Sequence, residues 1–201
     1  MAYYEELDEI LNVIISQYIL TNQNICKLLY YYPKDYDLSY DPLANEDIKD
    51  TSKLLLDYIY PLPKSPDAET QQKGFLTVVL TGGDYTRNQN GYRTVRVVFD
   101  IVFHLKSWII RKSFRPYKIL SELDKMFNNQ NPDLPIIGLS RYYDFNVKDY
   151  SSAYYGIQVI YDLTLNSNID CFPEPKNINL NKEAETYKPF YASKILKGKR
   201  N

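Results

Sequence analysis

Apolar residues recur at helical spacing near the start of the chain and at strand spacing in its middle. Leu7, Ile10, Leu11, Ile14, Ile15 and Tyr18 form one stripe, which predicts an amphipathic helix over residues 3–19. Glu5, Glu6, Asp8 and Glu9 crowd its first turns, where the helix dipole favours negative charge. Thr21 is the expected N-cap of a second helix that carries Ile25, Leu28 and Leu29 through Tyr31 and is closed by Pro33. Residues 34–47 hold many Asp and Tyr and read as a loop. Ile48, Leu55, Leu56 and Ile59 predict a short helix over 46–58, ended by a stiff connector at Pro61, Pro63 and Pro66.

The period changes after Lys73. Residues 75–80 are a compact β-run, and residues 92–106 alternate cleanly. Val95, Val97, Phe99, Ile101, Phe103 and Leu105 share one face; Thr94, Arg96, Asp100 and His104 share the other. The two runs predict a β-hairpin with a polar tip over 84–90. A helix follows at Pro116–Phe127, with Tyr117, Leu120, Leu123, Met126 and Phe127 as its apolar face. A second hairpin is expected from two more alternating runs. In the first, Leu139, Arg141, Tyr143, Phe145 and Val147 fall on one face; the second covers 155–165, and 148–152 joins them. The predicted class is α+β: N-terminal helices, then an antiparallel sheet of two hairpins flanking a helix (ββαββ), then an extended C-terminal arm. Three segments result: 1–73 helical with a connector, 74–165 sheet plus helix, and 166–201 the arm, which lacks a sustained period yet carries scattered Ile, Leu, Tyr and Phe.

Composition narrows the class without naming a chemistry. Of 201 residues, 44% are hydrophobic and 24% charged, which is globular rather than disordered. No apolar run is long enough for a membrane span, and the acidic first residues lack the basic region of a signal peptide. The formal net charge of -1 excludes a wholly basic nucleic-acid binder. The charge is uneven: residues 1–73 hold 6 basic and 13 acidic side chains, residues 74–165 hold 11 and 8, and residues 166–201 hold 7 and 4. An acidic front and a basic end would attract each other between subunits. The 21 tyrosines suit wet interfaces, although a biased composition would also supply them.

Candidate chemistry is sparse. Cys26 and Cys171 lie far apart and in no metal-binding spacing, so two free intracellular thiols are expected. His104 is the one histidine, without a GxSxG motif or a second ligand, so neither a triad nor a zinc site is expected. There is no Walker A, GxGxxG or HExxH motif, and Gly82-Gly83-Asp84 is a turn rather than a phosphate cradle. No catalytic residue, cofactor or metal is assigned, and an enzyme is not expected. The stretch 106–115, basic and aromatic around Trp108, offers phosphate contacts on one reading and a folded connection on the other.

The order of elements, with the runs Gly91–Phe103, Arg115–Leu123 and Tyr154–Asp162, resembles the tail-terminator and tail-completion proteins of tailed bacteriophages. The composition is also similar to that of crAss-like gut phages. This resemblance implies a structural virion protein of the neck or tail, assembled in the host cytoplasm into a homo-oligomeric ring, hexameric or dodecameric. Such a ring surrounds the channel through which genomic DNA passes without sequence recognition, and joins adjacent neck or portal and tail proteins, with no membrane partner. Contacts between subunits or rings are then expected at the hairpin tip (Asp84, Tyr85, Arg87, Asn88, Asn90) and at Trp108. In the arm they are expected at Phe172, Tyr187, Phe190, Tyr191, Ile195 and Leu196, with Lys194, Lys197, Lys199 and Arg200 nearest DNA. The competing reading is a nucleic-acid-binding adaptor that grips through the basic arm.

Overall fold

The computed structural model describes residues 3–33, 37–66, 73–82, 93–111, 113–128 and 137–165, all within the compact unit Met1–Ser167. The N-terminal stripe forms helix α1 (Tyr3–Val13), which continues into six residues of π-helix, Ile14–Ile19. The wider winding, with the Leu20 amide donating to the Ile15 carbonyl at 2.9 Å, sets Ile14, Ile15 and Ile19 all into the core.

Helix α2 (Gln23–Tyr30) is capped one residue later than expected. Thr21 instead donates to the Gln17 carbonyl at 2.6 Å and closes the preceding helix. The Asn22 side chain accepts from the Ile25 amide at 3.1 Å, which is the N-cap role. Its Nδ2 donates to Glu122 at 3.3 Å, so one residue both starts α2 and ties it to a later helix.

The helix expected over 46–58 does not form. Gln23 grips Ile48 with two hydrogen bonds: its Oε1 accepts from the Ile48 amide at 2.9 Å and its Nε2 donates to the Ile48 carbonyl at 3.1 Å, which takes both backbone groups away from a helix. A single 3-10 turn (Thr51–Leu54) follows, then a tight turn with Leu56 in the left-handed region at φ 65°. The chain leaves it as strand β1 (Ile59–Tyr60), parallel to β2 (Phe75–Thr81). Long-range backbone bonding and burial of Leu54 and Ile59 override the local helical pattern.

Strand β2 pairs antiparallel with β3 (Arg93–His104), as the alternation predicts. A four-residue helix α3 (Leu105–Trp108) and a short ribbon, β4 (Ile109–Ile110) against β5 (Ser113–Phe114), lead into α4 (Arg115–Phe127). Leu105 thus leaves the strand and is exposed. On α4 the buried face is Ile119, Leu123 and Phe127, whereas Tyr117 is exposed. The second hairpin is β6 (Ile137–Ser151) with β7 (Tyr154–Leu165), and its loop is shorter than 148–152. The sheet order is β1-β2-β3-β7-β6.

One core joins the helices to one face of this sheet. Ile10, Ile14, Ile25 and Leu28 from the N-terminal helices meet Leu76, Val97, Phe99, Val159 and Tyr161 from the strands. Gly74 lets the chain pass against Phe103, because a Cβ there would lie 2.1 Å from that ring.

Arg115, only 1% exposed, anchors α4 to this core. Its Nη1 donates to the carbonyls of Leu28 at 2.6 Å and Tyr31 at 2.9 Å, at the negative end of α2, and its Nε donates to Ser107 at 3.0 Å. Its guanidinium lies 4.5 Å from the centre of the Tyr32 ring. Burial lowers its pKa from the ordinary guanidinium value, but the charge remains. Arg115→Met leaves three carbonyls without their donor, and urea denaturation is expected to register a loss of about 3 kcal/mol. Arg115→Lys recovers little of it, since one ammonium cannot span the three carbonyls; a loss below about 0.5 kcal/mol in Arg115→Met contradicts this role.

Candidate functional site

The residues singled out from the sequence fall in three places. The hairpin tip (Asp84, Tyr85, Arg87, Asn88, Asn90) and the whole arm, from Phe172 and Tyr187 to Lys199 and Arg200, lie outside the described residues. Trp108 is described and does not stand out from the surface: it is half-buried, packs on the main core and meets Tyr155 edge-to-face at 6.5 Å. The basic stretch around it is a folded connection. Arg115 is buried, and Arg111 lies 3.9 Å from Asp41.

His104 caps α3, its Nδ1 accepting from the Lys106 amide at 3.1 Å. Partial burial and the charge of Lys106 push its pKa down, so it is neutral near pH 7. Cys26 is buried in α2, where its thiol reaches the carbonyls of Ile19 and Leu20 at 3.5 and 3.6 Å. Burial pushes that thiol from 9.0 up to about 12, which removes its nucleophilicity.

The structure's own candidate is strand β6. It is the longest strand, it stands at the edge of the sheet, and every residue from Arg141 to Val147 is exposed. Tyr143 is 49% exposed, Phe145 43% and Val147 59%. The expected alternation breaks at a bulge between Tyr142 and Asp144. Tyr142 therefore pairs with Tyr161 and shares the helix-side face with Phe145 and Val147. Tyr143 instead lies against Arg96, whose guanidinium sits 4.0 Å from its ring centre and pairs with Asp162 at 2.8 Å.

Beside β6 runs an open groove of about 460 Å³ walled by Tyr117, Leu120 and Asp124 of α4 and by Tyr142 and Phe145 of the strand. Buried Tyr161 lies beneath it in contact with Tyr142, with the Asp124 carboxylate acting on its hydroxyl; the hydroxyl of Ser140, also buried on β6, has no hydrogen-bond partner among the described residues. Phe114 meets Tyr117 edge-to-face at 6.1 Å, so the exposed Ile109–Phe114 pair of the ribbon extends the apolar strip.

On the opposite face β6 is held to the sheet by a polar knot. The Asp100 carboxylate accepts from Tyr150 Oη at 2.9 Å, Gln158 Nε2 at 2.8 Å and Thr77 Oγ1 at 3.3 Å. Gly156 makes room for this: a Cβ there would lie 2.8 Å from the Tyr150 ring. The sequence placed Asp100 on the polar face but carried no signal for Tyr150. Among the described residues, no three of His, Cys, Asp and Glu gather as metal ligands, and no helix is long and apolar enough to cross a membrane.

The family model of YomW matches residues 22–163, and the chain belongs to that phage-associated family. No curated protein and no solved structure matches it.

The buried thiol and phenols make the fold sensitive to alkali. Burial raises Tyr32 and Tyr161, and burial with the Asp100 carboxylate raises Tyr150, all above their ordinary 10.0. Groups raised in the folded state favour folding fully below their unfolded pKa, and that contribution fades as pH climbs above it. The melting temperature is expected to hold from pH 7 to about 9 and to fall steadily above it, followed by circular dichroism. A melting temperature unchanged at pH 11 would sink the assignment.

Proposed function

We propose that this chain is a structural component of a phage particle that works by assembling with copies of itself, as a hexameric or dodecameric ring of the neck or tail around the DNA channel. The observation that carries the reading is β6: a 15-residue edge strand, exposed on both faces over residues 141–147, beside an apolar groove. Single proteins blunt such edges with charge, brevity or cover, and an edge left long and aromatic marks a place of association. Membership of a phage-associated family supports the setting.

In this reading the work is mechanical, and no group of the chain acts as a catalyst. Neighbouring copies bury β6 and the groove, and the C-terminal segment 166–201 adds contacts whose combined avidity exceeds each one alone. Adjacent neck or portal and tail proteins stack on the ring, and DNA passes without being read. The adaptor reading loses Arg115, which is buried, and keeps Arg111, which stays exposed with Asp41 3.9 Å away.

Negative-stain micrographs of the purified full chain, at increasing concentration, test the proposal. Closed rings with a central opening are expected at high concentration. A particle that never exceeds a few copies and binds DNA with a steep salt dependence contradicts it and favours the adaptor.

A further inference from the structure

We propose that two copies of the free chain join antiparallel through β6, about a two-fold axis at Asn146. The inference rests on the reading of β6 as an assembly surface and names the occupant: a second copy of the same strand.

Three observations select this pairing. First, among the described residues the far edge of the sheet is short. There β1 has two residues with Ile59 fully buried, and the part of β2 that it leaves uncovered ends at Thr81, so this edge matches less of β6 than a second β6 does. Second, β6 keeps its longest regular register with β7 over residues 144–149, between a bulge at Tyr142/Asp144 and another at Asp149/Ser151; the other regular stretch, 139–142, is shorter. Bulges twist an edge away from pairing, so a new strand has this regular stretch to dock on.

Third, the stretch is complementary to itself. Residues directly opposite in an antiparallel pair point to the same face, so a two-fold pair must join residues of like parity. With Asn146 on the axis, Asp144 meets Lys148 of the other copy and Phe145 meets Val147, and symmetry repeats both contacts. These five residues all lie inside the regular stretch. Centring on Phe145 draws in Tyr143, which belongs to the bulge, and centring on Val147 sets Phe145 against Asp149. Opposite charges and apolar pairs across strands stabilise, whereas mismatched ones do not. On the helix side, Phe145 and Val147 of both copies make one apolar patch that continues into each groove.

An isologous contact closes at two copies and stops, which removes the edge from further aggregation. A ring with unlike neighbours above and below has no two-fold axis in its plane. The pair therefore belongs to the free protein and opens on incorporation, handing β6 to its neighbours in the particle.

A charge-swap cycle on the full chain tests this by sedimentation, with circular dichroism confirming the fold of each variant. The wild type is expected to be a dimer. D144K and K148D each place like charges opposite twice and are expected to weaken dimerisation about tenfold, and D144K/K148D together to restore it. N146C in a C171S background is expected to cross-link to itself on oxidation. A monomeric wild type with protected β6 amides overturns the proposal and gives the edge to the chain's own C-terminal segment. Dimerisation that is equally strong in the wild type, D144K and K148D also overturns it while leaving the ring reading intact. Swap-sensitive dimers that never assemble further support the pair and count against the ring.

Discussion

A five-stranded sheet has been given a helical layer wide enough for its inner strands, and the rest of the molecule follows from that shortfall. The π-turn, α2 and α4 press Ile14, Ile25, Leu28, Ile119 and Phe127 onto the side chains of β2, β3 and β7. These strands lose water on that face and become the hydrophobic floor of the protein. Strand β6 lies beyond the cover. Its Phe145 and Val147 sit on the same face as Val159 and Ile157, yet remain exposed while their neighbours are buried. The apolar face thus runs out past the layer that shields it, and the groove beneath α4 is the place where the shield ends.

Polar contacts decide how rigidly this arrangement is held. Arg115 satisfies carbonyls at the end of α2 and fixes α4 over the sheet, while Asn22 ties α2 to α4 through Glu122. Asp100 gathers Thr77, Gln158 and Tyr150 on the opposite face and fastens the end of β6 across β7 to β3. The edge strand is therefore fixed in place without being buried. Such an edge is preorganised, so a partner has less conformational entropy to remove.

The sequence predicted most of the fold from period alone, and its failures share a cause. β3 was legible because its alternation is complete, and the α+β order followed from the change of period. The stretch 46–58 was misread as helix because what holds it otherwise is distant in sequence: Gln23 bonds Ile48, and Ile59–Tyr60 just beyond it pairs with β2. Arg115 read only as part of a basic run, open to phosphate contacts or a folded connection, since its acceptors Leu28 and Tyr31 lie 87 and 84 residues away. The face of β6 was misassigned because one bulge at Tyr143 inverts everything before it, and no composition rule marks that position. The groove itself had no sequence signal: Tyr117 and Phe145 were both visible as apolar, but only the missing cover makes them a surface.

If the uncovered strand is satisfied by another molecule of the same chain, folding and association are linked. The most direct measurement is the melting temperature of the full chain over a hundredfold range of protein concentration. The account predicts a rise of several degrees across that range, because association stabilises the folded form by mass action. A melting temperature independent of concentration would mean that β6 needs no partner, and would contradict it.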